Sequence, residues 1–179
     1  HVLIRKDKKP KEGECIPMIK RSGIISSYCI LAILAFGPCV RVFALGDIFK
    51  EWDVSTANSG PTDIAIENGL IYFTERWVYR IGCLDPVTGI FKEWGIPRPG
   101  SVLSIAISSN QVYFTESDDN KIGRLDPSTG TFREWEVPTA KSRPLAIAVS
   151  NGLIFFTESD GNKIGRLDPS TGEFEEWDI

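Results

Sequence analysis

The sequence predicts an all-β fold made of repeated four-stranded sheets, and three recurring markers support this prediction. Phe-Thr-Glu begins at residues 73, 114 and 156, Leu-Asp-Pro begins at 84, 125 and 167, and Glu-Trp begins at 51, 93, 134 and 176. Every marker recurs after 41 or 42 residues. Three markers in the same phase indicate a repeat architecture, and this period is typical of the β-propeller blade.

The first two strands of each repeat are apolar. Strand one is short, as in residues 63–66, and a tight turn follows it, which is Asn-Gly at 68–69 and 151–152 and Ser-Asn at 109–110. Asparagine and glycine tolerate the positive φ angles of a type I′ hairpin. Strand two reads IYFTE, VYFTE or IFFTE. We expect such a near-continuous apolar strand to be covered on both faces, as in the middle of a stacked sheet.

The third and fourth strands have a different chemistry. Strand three reads YRIGCLDP in the first repeat and NKIGRLDP in the other two, and it ends in an Asp-Pro-Val/Ser-Thr-Gly turn. There aspartate can bond the turn backbone, proline presets φ and glycine supplies a left-handed position. Strand four, such as TFREW, alternates apolar and charged residues, as an outer strand facing water does. We expect its aromatic pair, such as Phe132 and Trp135, to seal one sheet against its neighbour.

The repeats predict three complete blades and one orphan outer strand. The blades span about 55–96, 97–137 and 138–179, and residues 49–54 match a fourth strand without the first three strands before it. In many propellers, an N-terminal strand completes the final blade and closes the ring. Propellers typically need four to eight blades to close. We therefore expect an incomplete ring, which further blades of a longer gene product or a second copy of the chain must close.

Residues 18–44 have the pattern of an export signal. Met18, the only methionine, is followed by a basic stretch, an apolar run and a small-residue cleavage site at 42–44. This order is typical of a cleaved signal peptide, so we expect an extracellular or periplasmic protein. A membrane anchor formed by residues 24–40 is the alternative, although the run is short for a spanning helix. A spurious hydrophobic leader is a third interpretation.

We therefore expect the chain to divide into a non-native upstream segment at 1–17, the signal at 18–44 and a partial propeller at 45–179. In the last part, 12 Lys+Arg and 21 Asp+Glu give a formal charge of −9. A region this acidic does not attract the negatively charged phosphate backbone of a nucleic acid, so we expect no nucleic-acid partner. Cys83 is the lone cysteine there, which excludes an internal disulfide and a cysteine metal cluster and predicts a small buried apolar residue.

The recurring phrase FTE…NKIGRLDPSTG, followed by Phe and Glu-Trp, closely resembles the repeat of the streptogramin lyase family, that of virginiamycin B lyase. The resemblance covers residues 49–179. It implies a β-propeller and a lyase that opens a cyclic depsipeptide antibiotic by elimination with a magnesium ion. That chemistry relies on histidine. The only histidine here is His1, so the resemblance assigns no catalytic residue within 45–179.

Propeller sites usually lie at one mouth of the central channel, on the loops that join strand two to strand three and strand four to strand one. Here the first set of loops, at 75–80, 116–121 and 158–163, begins with Glu75, Glu116 and Glu158. Three carboxylates around an axis could help to hold a hard cation such as Mg²⁺ or Ca²⁺. Alternatively, each glutamate accepts bonds from its own loop or pairs with the next basic residue, which is Arg80, Lys121 or Lys163.

One of these loops departs from the repeat. Arg76, Trp77, Val78 and Tyr79 replace the Ser-Asp-Asp-Asn and Ser-Asp-Gly-Asn of the other two blades. These side chains predict a stacking or docking surface for an unknown small molecule or protein. Local packing over the channel mouth or against Arg80 is the alternative. Two functions therefore stay open: an exported binding platform without catalysis, and part of a metal-assisted lyase.

Overall fold

The computed structural model describes residues 50–97 and 100–179, and twelve β-strands form within them. Blade 1 contains β1–β4, blade 2 contains β5–β8 and blade 3 contains β9–β12, and in each blade four consecutive strands form one antiparallel sheet. The predicted all-β fold of four-stranded repeats is confirmed. The strands are β1 Pro61–Glu67, β2 Leu70–Glu75, β3 Arg80–Asp85, β4 Ile90–Gly95, β5 Val102–Ser108, β6 Gln111–Glu116, β7 Lys121–Asp126, β8 Thr131–Glu136, β9 Pro144–Ser150, β10 Leu153–Glu158, β11 Lys163–Asp168 and β12 Glu173–Asp178.

The turns have the predicted chemistry. Asn68 and Gly69 adopt positive φ angles of 53° and 79° between β1 and β2. Between β7 and β8, the backbone N–H of Ser128 donates to Oδ1 of Asp126 at 2.9 Å, and Gly130 has a φ of 75°. The hydroxyl and backbone bonds from Ser128 hold the pKa of Asp126 below its usual value. The Ser128 hydroxyl therefore serves the turn.

A glycine in the third strand of each blade makes room for a phenylalanine of the second strand. Phe114 lies directly across the sheet from Gly123, and Phe73 and Phe156 face their glycines in the same way. A Cβ atom on Gly123 would overlap the Phe114 ring. The ring also meets Phe132 of the outer strand edge-on, with centroids 6.2 Å apart. This aromatic cover over glycine explains why Ile-Gly recurs in every third strand.

Gly123→Ala should therefore destabilise the fold. The new methyl group must displace a ring that is fully buried, and overpacking of this kind costs about 2 kcal/mol. The matched control is Gly95→Ala, because a Cβ atom there meets no atom within 4 Å. Urea unfolding followed by circular dichroism measures both variants. Equal stabilities for the two would contradict the proposed role of the third-strand glycine.

Hydrophobic clusters hold neighbouring blades together. We call the side of a sheet that faces the following blade its back face, and the opposite side its front face. The back face of blade 1 packs on the front face of blade 2, and blade 2 packs on blade 3 in the same way. Trp135 lies on a back face and is 8% exposed, which confirms that the outer-strand aromatic residue seals one sheet against the next. The buried residues include Tyr72, Ile81, Cys83, Val112, Phe114 and Leu125 in the first cluster and Tyr113, Ile122, Ile154, Phe156 and Leu167 in the second.

No sheet of the described residues covers the front face of blade 1 or the back face of blade 3, so these three blades form an incomplete ring, as predicted. Ile64 on the front face of blade 1 is 59% exposed, whereas Ile105 at the same position of blade 2 is 5% exposed. Trp177 on the back face of blade 3 is 45% exposed, against 8% for Trp135. The outer strand was predicted at 49–54, and residues 50–54 of it are described. They join no sheet of the described residues, since a fourth strand needs a third strand beside it.

Several predictions concern residues that the structure does not describe. The upstream segment at 1–17, the signal at 18–44 and the alternative anchor at 24–40 all lie outside the described residues. Within the part of the chain that is described, no helix has the length and apolar character needed to span a membrane.

Candidate functional site

The two predicted sets of loops lie together at one end of the blades. The backbone N–H of Trp77 donates to the carbonyl of Ser59 at 3.0 Å, and the N–H of Ser117 donates to the carbonyl of Ser101 at 3.0 Å. In blade 3 the N–H of Asp160 donates to the carbonyl of Ser142 at 2.9 Å. In every blade, therefore, the loop after strand two is tied to the segment that leads into strand one. These loops form the candidate site.

Glu75, Glu116 and Glu158 lie beneath these loops, at the ends of β2, β6 and β10. Their exposed fractions are 0%, 0% and 1%, and neither oxygen of any of them receives a well-formed hydrogen bond from a described residue. The basic residue that follows in each blade forms its salt bridge with a glutamate of strand four instead. These bridges are Arg80–Glu93 at 2.6 Å, Lys121–Glu134 at 2.6 Å and Lys163–Glu176 at 3.2 Å.

Burial raises the pKa of the three strand-two glutamates. The pKa of Glu116 is raised to about 7, mainly by loss of hydration and also by the nearby Glu134 carboxylate, while Lys121 opposes the shift. Burial likewise raises the pKa of Glu75 and of Glu158, and the neighbouring hydroxyls of Ser59 and Ser142 oppose it. Each blade thus buries one carboxyl group whose pKa is higher than that of an ordinary glutamate.

The three glutamates stand in three separate blades. Among residues 50–97 and 100–179, no three side chains of His, Cys, Asp or Glu converge into a group that could hold a metal ion. A Mg²⁺ or Ca²⁺ ion needs several oxygen ligands within about 2.0–2.6 Å of one point. The described residues do not supply such a set.

The predicted docking surface, Arg76–Trp77–Tyr79, is exposed at this end of blade 1. Trp77 lies against the backbone of Gly60 and is 66% exposed, and Tyr79 is 40% exposed. Arg76 is also exposed, and its Nε donates to the hydroxyl of Ser101 at 3.3 Å. All three predicted residues are therefore exposed, and they belong to the one loop that joins β2 to β3.

Tyr79 stands where a bulky residue is uncommon. Its φ angle is 56°, and the equivalent residues are Asn120 and Asn162, with φ angles of 57° and 54°. Asparagine tolerates this left-handed region better than an aromatic residue does. Blade 1 thus accepts a less favourable backbone at Tyr79 without burying the side chain.

The asparagine at this position in blade 2 also forms hydrogen bonds to the segment between β8 and β9. The sequence analysis did not predict this role. Nδ2 of Asn120 donates to the carbonyl oxygens of Val137 and Thr139 at 3.1 and 3.0 Å, and Oδ1 accepts from the N–H of Ser142 at 2.8 Å. Tyrosine cannot make these bonds. The sequence feature that could have indicated this role is the Asn-Lys pair, which blades 2 and 3 share at 120–121 and 162–163.

Comparison with known proteins identifies the family. The sequence pattern of the virginiamycin B lyase family matches residues 40–179, which is most of the chain. The chain belongs to the virginiamycin B lyase family. Among curated proteins, no sequence matches it.

Three solved lyase structures resemble these blades. A streptogramin B lyase structure is 34% identical with a TM-score of 0.67, and the match covers 73% of this chain and 44% of that one. Virginiamycin B lyase from Staphylococcus aureus, in its selenomethionine form, is 32% identical with a TM-score of 0.62, over 68% of this chain and 42% of that one. A catalytically inactive histidine-to-alanine variant from the same organism, solved with quinupristin, is 33% identical with a TM-score of 0.67, over 73% and 45%. The chain thus spans less than half the length of these lyases.

Proposed function

We propose that the three blades serve as an exported binding scaffold, with the Arg76–Trp77–Tyr79 surface as the contact for a ligand or a partner protein. The observation that carries this proposal is the 66% exposure of Trp77 at a position where the other blades have aspartate. Exposed aromatic side chains that occur together are typical of a recognition surface, and Trp, Tyr and Arg are enriched among residues that carry binding energy. The neighbouring arginine adds a cation that can stack or form hydrogen bonds.

The family suggests the class of ligand. Quinupristin is present in one of the matched lyase structures, so it is the natural probe for a surface that presents Trp, Tyr and Arg. An aromatic surface can stack on the apolar groups of a cyclic peptide while arginine donates to its carbonyl oxygens. Catalysis is not part of this proposal, because residues 50–179 contain no histidine to act as acid or base.

Trp77→Ala should weaken the binding of quinupristin about tenfold or more, since exposed aromatic anchors carry much of the energy of such contacts. Isothermal titration of the chain measures the affinity, and a thermal melt measures stability. Trp177→Ala is the matched control, because Trp177 is 45% exposed on the back face of blade 3. Parallel losses of affinity and melting temperature in Trp77→Ala would favour local packing instead.

The second candidate is a part of a magnesium-dependent lyase, which family membership favours. Elimination opens a cyclic depsipeptide without adding water, whereas hydrolysis adds one water molecule. The chain is incubated with quinupristin and Mg²⁺, and the products are analysed by chromatography and mass spectrometry. A new product of unchanged mass would establish the lyase, and unchanged quinupristin would favour the scaffold.

Export completes the proposal and rests on residues 18–44. We expect a secreted form whose first residue is Leu45, which follows the small-residue site at 42–44. N-terminal sequencing of the mature protein tests this expectation. Retention of residues 24–40 in a membrane fraction would favour the anchor.

A further inference from the structure

The backbone of Gly60 lies against one face of the Trp77 ring. A Cβ atom on Gly60 would stand 2.6 Å from Cδ2 of Trp77, and 2.9 and 3.0 Å from its Cε3 and Cε2. Because Cδ2 is bonded to three other ring atoms, a group can come this close to it only from above or below the ring plane. The α-hydrogen that replaces a side chain in Gly60 therefore points at the ring face, and a side chain there would overlap the ring.

The main chain holds the two residues in this arrangement. The carbonyl of Ser59 accepts the backbone N–H of Trp77 at 3.0 Å, and the carbonyl of Gly60 accepts that of Arg76 at 3.1 Å. Gly60 has a φ angle of 65°, in the left-handed region that glycine adopts without steric cost. Two consecutive hydrogen bonds thus fix the start of the loop against residues 59–60, and the Trp77 side chain begins directly beside Gly60.

The same two positions carry an ion pair in blade 3. The carbonyl of Arg143 accepts from the loop there as that of Gly60 does in blade 1, and Arg143 has a similar φ angle of 52°. Its Nη1 atom stands 3.5 Å from Oδ1 of Asp160, which takes the place of Trp77. Blade 1 therefore differs at both members of the pair, and glycine leaves the space that the aromatic ring needs.

The contact with Gly60 decides which part of the ring a ligand can use. Gly60 covers one face, and Trp77 is nevertheless 66% exposed, so the opposite face is directed towards solvent. A flat aromatic group can lie on that face in an offset stack, which is worth more than its buried area alone. A branched aliphatic group touches a plane at fewer atoms and gains less from the same surface.

Given the binding function proposed above, we infer that Gly60 and Trp77 form a one-sided stacking platform for a flat aromatic group of the ligand. Trp77 makes the contact, and Gly60 is the residue that positions its ring.

Proton NMR tests the platform without a ligand. A proton that points at the face of an indole ring resonates upfield, so one α-proton of Gly60 should lie upfield of both α-protons of Gly69. Gly69 is the matched reference, because its φ angle is 79° and a Cβ atom there meets no described atom within 4 Å. Trp77→Ala should return the Gly60 signal to the usual range. A Gly60 signal that is the same in the parent chain and in Trp77→Ala would overturn the platform.

Two glycine substitutions test the positioning role. Gly60→Ala and Gly69→Ala both put a methyl group on a left-handed backbone, so their melting temperatures should fall by similar amounts. Only Gly60→Ala displaces the Trp77 ring, and it should weaken quinupristin binding about three- to tenfold, as expected for one lost stacking contact. Gly69→Ala should bind as the parent chain does. Equal affinities of the two variants in isothermal titration would overturn the role of Gly60.

Two substitutions of the tryptophan test the preference for a flat group. Trp77→Phe keeps a flat ring and should bind quinupristin within about threefold of the parent chain, whereas Trp77→Leu should lose as much affinity as Trp77→Ala. Equal affinities of the Phe and Leu variants would overturn stacking. A parent chain that binds no quinupristin would refute the proposed function itself, and with it the ligand of the platform. Binding by the parent with unchanged affinity in Gly60→Ala would refute only the positioning role.

Discussion

Ile105→Ala is expected to lower the free energy of unfolding by about 3 kcal/mol, while Ile64→Ala at the same position of blade 1 lowers it by only about 0.5 kcal/mol. Both isoleucines lie in the first strand of a blade and point from its front face. Ile105 is 5% exposed under blade 1, and Ile64 is 59% exposed on the open face. The difference between the two variants isolates packing between blades, because loss of strand propensity is common to both.

Chemical denaturation of the two variants and of the parent chain measures these values. The dependence of the unfolding free energy on denaturant concentration should be the same in all three proteins. This would show that each exposes the same amount of surface on unfolding. Equal destabilisation by both substitutions would mean that packing between blades contributes little beyond each sheet itself. It would then also remove the reason to expect an occupant on the open face of blade 1.

Glu116→Gln is expected to make the chain more stable above neutral pH, by up to about 3 kcal/mol. The pKa of Glu116 is about 7 in the fold, against 4.5 for an ordinary glutamate. A group with a raised pKa stabilises the fold when protonated, so its contribution is fully present below about pH 4.5 and is lost as the pH rises through about 7. Glutamine keeps the shape of the side chain and cannot ionise, so this loss disappears.

Stability measured between about pH 5 and about pH 8 tests the prediction, because the Asp126 and Asp168 turns, whose pKa values are lowered, titrate below that window. Glu136→Gln is the control, since Glu136 is exposed on β8 of the same blade. We expect a flatter pH profile for Glu116→Gln than for the parent chain. An identical profile for the two would mean that water or a cation satisfies Glu116 in solution.

Most of the fold could be predicted from the sequence because each blade repeats the same local chemistry. The Asp-Pro turns, the Asn-Gly hairpins and the apolar second strands each indicate their structure within a few residues, and the period indicates the blade. The role of the third-strand glycine could not be predicted in this way. It depends on which residue lies opposite Gly123 in the sheet, and this register places Phe114 there.

The candidate site could be predicted only in part. The change of sequence at Arg76–Tyr79 located an exposed surface, because a departure from a repeated turn needs no knowledge of distant contacts. The sequence could not show which glutamate pairs with the basic residue of strand three. In blade 1, Arg80 forms its salt bridge with Glu93 of strand four and not with Glu75 of strand two. Asn120 binds carbonyl groups that follow it by 17 and 19 residues. Contacts between strands and loops of this kind are fixed by the tertiary structure.

The proposed place of ligand recognition is the loop that departs from the repeat. The chain contains five tryptophans, Trp52, Trp77, Trp94, Trp135 and Trp177, so its NMR spectrum has five indole N–H signals. Titration with quinupristin should shift the signal of Trp77 and leave the others in place. A shift of the Trp52 signal, with the Trp77 signal unchanged, would contradict this proposal.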